Sequence, residues 1–338
     1  MHMWRYIIVS ALICLWGCSD RTDYRKASFR DEKDASVEII GNPLELGVPV
    51  DLCQEGDFLF VLAYTSENWL HIYDKKTGVK VSTTLKVGRG PGEAVNLVSM
   101  DYLRQKKDLY VYDMVLRRTL VYHLDGESGD ASYVREIQHP SAGVLRKCHL
   151  LPDGRYLYEG YFPESEKDTR FTLSDGVSAI DVFSDYPGID NENNRYAFTL
   201  GVCKGDPASG RFVAGTMFGA VLECFDVSSS EIRPTGVRLL DPPEMDLSGP
   251  AIQPRSGTKY GFSTFCLTDR LIYAVYLDGT DPNDFKTIAT FDWAGKEQTK
   301  YVTDCNILRM CVSDDGTDLY GITSSPLMEF SLARILFQ

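Results

Sequence analysis

Positive charge, histidine and long apolar stretches are all scarce in this chain of 338 residues. Thirty-five lysines and arginines stand against 48 aspartates and glutamates, a formal net charge of −13. No general basic field is therefore available to hold nucleic acid or anionic lipid heads. Histidine occurs five times, and the nine cysteines never form the close C-x₂-C pairs typical of tetrahedral metal sites. No apolar run reaches the roughly 20 residues that span a bilayer. No segment carries the period of a long amphipathic helix, which argues against a helical second domain.

What the chain does have is short runs of β-branched and aromatic residues closed by polar turns. Lys107–Asp113 and Leu120–Asp125 are separated by a gap that leaves room only for a hairpin. Phe58–Leu62 with Leu70–Asp74, and Asp318–Ile322 with Met328–Ser331, repeat the arrangement. Aligned on the strand after a polar turn, six copies begin at Leu59, Leu109, Tyr156, Arg211, Leu271 and Leu319, with separations of 50, 47, 55, 60 and 48 residues. That spacing suits the four-stranded blade of a β-propeller and is too long for leucine-rich or ankyrin repeats. The expected fold is all-β, a single six-bladed propeller over residues 36–338.

Just before five of the six turns stands a cysteine (Cys53, Cys148, Cys203, Cys266, Cys311), with Met100 in the second copy. On the innermost strand of a blade a small apolar side chain packs near the axis, so these thiols are read as packing, and no metal is expected. Seven cysteines follow Cys18, an odd number that cannot all pair. Ser36–Ile40 is a strand with no blade of its own, and the last copy runs out of chain near Leu332. Pairing the early strand with the last blade would close the ring and remove its free edges.

At the start of the chain one charge, Arg5, precedes the apolar run Tyr6–Leu15, too short to span and shaped like an export signal over residues 1–17. Leu15-Trp16-Gly17-Cys18 resembles the lipobox of bacterial lipoproteins, which implies a lipid on Cys18 and removal of the signal. The polar, mixed-charge segment 18–35 reads as a flexible tether. Losing Arg5 with the signal leaves a net charge of −14. Gly88-Arg89-Gly90-Pro91-Gly92-Glu93 and Tyr260-Gly261-Phe262-Ser263-Thr264-Phe265 resemble signatures of a family of TolB-like six-bladed propeller lipoproteins from Bacteroidetes, over about residues 45–335. The resemblance implies an exported, lipid-anchored propeller at the cell envelope, in the outer membrane, and implies no activity.

Motif by motif, the chemistry thins out. No Lys-Ser or Lys-Thr follows Gly92, so the glycine run is not a phosphate loop. Gly261–Phe265 lacks the strand-turn-helix context of a hydrolase elbow. The acidic stretches 278–284 and 314–318 lack the alternating ligands of an EF-hand and read as turns. Catalytic and cofactor residues are not expected. Arg89 and Glu93, on a stiff crossover, are expected to project towards the channel mouth and to bind ligand together with His149 and Tyr260. The leading function is a non-catalytic module that binds a protein, peptide or glycan partner. The alternative is a calcium-dependent propeller hydrolase or lyase, which needs several carboxylates converging on the axis, where the sequence offers mostly thiols and apolar groups.

Overall fold

A computed structural model describes residues 23–162, 169–228, 230–249, 251–313 and 315–337. The expected export signal, Cys18 and the first part of the expected tether lie outside the described residues. Six four-stranded antiparallel blades follow one another along the chain. Their innermost strands are Pro49–Glu55, Leu97–Leu103, Val144–Leu150, Val202–Asp206, Tyr260–Leu267 and Asn306–Val312. Both strands of each expected hairpin are the middle strands of a blade: Asp108–Asp113 pairs with Arg118–Asp125, and Phe58–Ala63 with Asn68–Asp74. Apolar side chains of adjoining blades meet in shared clusters. Cys53 and Met100 join blades one and two, Cys311 packs with blade one, and Cys148 lies between blades two and three, the packing role expected of them.

The ring closes through the chain's early strand, Asp31–Leu44. Ala35–Leu44 pairs antiparallel with the final strand, Phe330–Phe337, as the outer strand of blade six. Its first residues, Asp31–Ala35, pair in parallel with Thr299–Thr303 on the outer strand of blade five, which merges two blades into one eight-stranded sheet.

The expected end of the tether at residue 35 therefore falls inside a strand. Ordered contacts begin earlier still. The Tyr24 hydroxyl donates to the Gly188 carbonyl at 2.9 Å, Arg25 N donates to Leu239 O at 2.9 Å, and Phe29 packs edge-on against Phe291 at 5.8 Å between ring centres. The polar composition of this segment hid two apolar anchors, Ala27 and Phe29, that pack on the blade-five core.

Each crossover from an outer strand to the next inner strand lies on one face of the disc, where the inner strands begin. Two crossovers there are long. Residues 184–201 carry a short helical turn, Glu192–Thr199, and residues 242–259 carry the small ribbon Met245–Asp246 with Gln253–Pro254. The two are tied together where Met245 N donates to Asn194 Oδ1 at 3.0 Å.

Candidate functional site

At that face the axis opens into a cavity of about 390 Å³. Its lining explains itself through a backbone irregularity that recurs around the ring. Five of the six inner strands slip register with their neighbour near their start, and the residues that follow the slips are Asp51, Ser99, Lys147, Thr264 and Arg309. All five line the cavity. A bulge interrupts strict alternation and re-aims the next side chain, so polar groups that a regular strand would place between blades point to the axis instead. Blade four adds Lys204 without a slip.

The charged groups are tied in pairs. Lys204 Nζ holds Asp51 and reaches the Met100 carbonyl at 3.3 Å. Burial alone would lower the Lys204 ammonium, but Asp51 outweighs it and raises it. Lys147 Nζ sits 3.2 Å from Glu159 Oε1. His149 lies between two carboxylates, its Nε2 3.2 Å from Glu159 Oε1 and its Nδ1 3.5 Å from Asp101 Oδ1. Asp101 is fixed from behind by Leu150 N at 2.9 Å.

Burial works against charge on His149, yet Asp101, then hydrogen bonds to Cys203 and Glu159, lift its imidazole well above the usual histidine range. For Glu159 burial also opposes charge, and Lys147 with His149 prevails, bringing the carboxyl down to about 2. Arg309 differs from the lysines: Nε donates to Val50 O at 2.6 Å and Nη1 to Leu308 O at 2.7 Å, both main-chain carbonyls, and among the described residues no carboxylate is in direct contact with it. Burial lowers its guanidinium. The Ser263 hydroxyl, also on the lining, is buried without a partner.

Of the four residues expected to bind ligand, only His149 lines this cavity. Arg89 and Glu93 are on the same face but over the outer half of blade two. Glu93 Oε2 accepts from Gly90 N at 2.7 Å within its own loop, and Arg118 clamps that loop through the Gly90 and Glu93 carbonyls, both at 2.8 Å. The expectation that the pair projects to the channel mouth fails because Arg118 and Tyr122, which donates to Gly92 O at 2.7 Å, pull the crossover outward. Arg89 is exposed at the loop tip. Tyr260 opens the inner strand of blade five and packs at a tilt against Phe218, with ring centres 5.5 Å apart, outside the axial lining.

The acidic turn at 315 behaves as a turn, Asp315 Oδ1 accepting from Ser313 and Thr317. Residue 314 lies outside the described residues.

The expectation that the inner strands offer mostly thiols and apolar groups holds deeper in the channel, where Cys53, Met100, Cys266 and Cys311 line a narrower space of about 120 Å³. At the mouth it does not hold. Asp51, Lys147, Lys204 and Arg309 belong to no recognisable motif, although Asp51, Thr264 and Arg309 each stand two residues before a cysteine. That recurrence was the available signal. Among the described residues no three carboxylates converge on one point of the axis; the one cluster of three metal-capable side chains is His149, Glu159 and Cys203.

Comparison with known proteins agrees with this architecture. A putative exported protein from Bacteroides fragilis NCTC 9343 superposes with a TM-score of 0.56 at 16% identity, covering 94% of this chain and 99% of that one. A member of the DUF4221 family from Bacteroides vulgatus ATCC 8482 gives 0.50 at 11% identity, with 94% and 99% covered. At these identities the likeness is one of fold. Among curated proteins none matches the sequence significantly. The family model described as TolB-like 6-blade propeller-like matches residues 28–315, from the anchoring segment beside Phe29 to the last blade, and the chain belongs to that family.

Proposed function

We propose that this protein is a non-catalytic binding module of the cell envelope, held there by a lipid on Cys18, and that it takes a protein, peptide or glycan partner on the face where the inner strands begin. A carboxylate or similar anionic group of that partner seats in the axial cavity. One observation carries the reading: in a chain of net charge −13, the cavity lining holds Lys147, Lys204 and Arg309 against Asp51. Arg309 keeps spare donors and touches no carboxylate among the described residues, and the Ser263 hydroxyl, without a partner among them, adds a polar contact. A volume of about 390 Å³ suits a sugar ring or a peptide terminus. The TolB-like fold and the exported Bacteroides neighbour support a place at the envelope.

Calorimetry on the mature protein tests this with uronic-acid oligosaccharides and free-acid peptides, each beside its neutral sugar or amidated counterpart. Acidic ligands of at least one class should bind, the neutral counterparts should not, and Arg309→Gln should weaken binding about tenfold or more. Equal binding of acidic and neutral members, or indifference to Arg309→Gln, overturns the anionic seat. Metal-dependent hydrolysis of a lactone or ester by the purified protein overturns the non-catalytic reading.

A further inference from the structure

We propose that His149, Glu159 and Cys203 form a binding site for a divalent transition metal of the zinc class, set in the wall of the axial cavity between blades three and four. The three donors come from three strands: the inner strand of blade three, its neighbour Tyr156–Tyr161, and the inner strand of blade four. Their ligand atoms all lie within 4.8 Å of one another. Around a tetrahedral ion with bonds of about 2.0–2.3 Å, ligand atoms stand roughly 3.3–3.8 Å apart, so the set must close by about 1.5 Å at most.

The donor set of imidazole, carboxylate and thiolate suits zinc or cobalt and not calcium or magnesium, which take oxygen. The second layer is also in place. His149 turns its other ring nitrogen to Asp101, the carboxylate–histidine arrangement that orients metal-binding imidazoles, and Asp101 is itself fixed by a main-chain donor. His149 and Cys203 line the cavity, so a fourth position faces its interior.

Without metal the Cys203 thiol hydrogen-bonds His149, and Lys147, 3.2 Å from Glu159 Oε1, is the cation that a metal would displace. Entry of the ion releases the proton of His149 Nε2 and the thiol proton of Cys203. Two positive charges arrive and two protons leave, so the local charge changes only by the ammonium of Lys147 that moves away. The site shares a wall of the cavity with the anionic seat, but its test needs neither Arg309 nor a ligand.

The mature protein, freed of metal with a chelator, is titrated with Co²⁺ and followed by absorption. One ion per chain should bind, with a thiolate-to-cobalt charge-transfer band and the intense visible bands of tetrahedral cobalt, and Zn²⁺ should displace it. Cys203→Ser should abolish the charge-transfer band, whereas Cys53→Ser and Cys266→Ser should keep it. Asp101→Asn should weaken binding about tenfold, and Lys147→Met should strengthen it. In case a variant does not fold, Zn²⁺ should also slow alkylation of Cys203 in the unaltered protein, read by mass spectrometry. The proposal is overturned if the unaltered protein shows no thiolate band with stoichiometric Co²⁺, if the band survives in Cys203→Ser, or if Zn²⁺ leaves the alkylation of Cys203 unchanged.

Discussion

At the scale of single residues, the informative groups are charges and imidazoles placed where water does not reach. His139 is buried between blades two and three, with Nε2 2.7 Å from Thr119 Oγ1 and Nδ1 2.7 Å from the Tyr158 hydroxyl. Burial pulls its imidazole down to about 4. A base depressed in the folded state contributes stability above its unfolded value near 6.5, and that contribution is lost as the pH falls towards 4. Denaturant melts should therefore show stability falling by up to about 3 kcal/mol between pH 6.5 and pH 4, with a shallower slope in His139→Gln. Arg170 makes a second case. Its guanidinium bonds both carboxylate oxygens of Glu223 across the junction of blades three and four and lies 4.4 Å from the Phe198 ring centre. Both side chains are almost wholly buried. Arg170→Met strands the carboxylate and should lower stability by roughly 3–5 kcal/mol, while Arg170→Met with Glu223→Leu should recover much of the loss. None of this was legible in the sequence, because an arginine and a glutamate 53 residues apart carry no sign of meeting.

At the scale of the strand, the blade repeat was legible and its irregularities were not. Continuous runs of β-branched and aromatic residues closed by turn residues locate the middle strands of a blade, which are buried on both faces, and this is why the hairpins at 108–125 and 58–74 match the structure. The cysteine pattern likewise marks the inner strands. Bulges leave no such trace: one extra residue turns Asp51, Lys147 and Arg309 to the axis, and period-two reasoning fails at those positions. The early strand shows both sides. Its pairing with the last blade was foreseeable from a strand left over, but its reach back to Phe29 and across to blade five was not, since composition alone made that stretch a tether. The two halves of the segment can be separated by truncation. A chain beginning at residue 36 loses the parallel bridge and the Phe29 contacts and should be less stable by about 2–4 kcal/mol. A chain beginning at residue 45 loses the outer strand of blade six and should unfold or associate through the bared edge. Urea melts and light scattering distinguish the two, and an unchanged melt for the first chain would restore a slack tether.

At the scale of the whole molecule, stability is shared among six interfaces and owes nothing to covalent cross-links among the described residues, where all seven cysteines are free thiols. Reducing agent should leave the melting temperature unchanged, and alkylation of the folded protein should reach the half-buried Cys203 and Cys305 before the five buried thiols. A reductant-sensitive melt would show that pairing occurs. The strand Asp31–Leu44 also sets the order of events as the chain is made. Its antiparallel partner is the last strand, some 300 positions away, so among the earliest structured residues to emerge are those whose permanent neighbour emerges last. For most of that interval neither partner exists, but Thr299–Thr303 emerges before Phe330–Phe337 and can receive Asp31–Ala35 in parallel while blade six is still incomplete. The short bridge to blade five is thus a waiting place. It holds the head of the chain beside the gap that the tail will fill, and turns a search across the whole molecule into a step between neighbours.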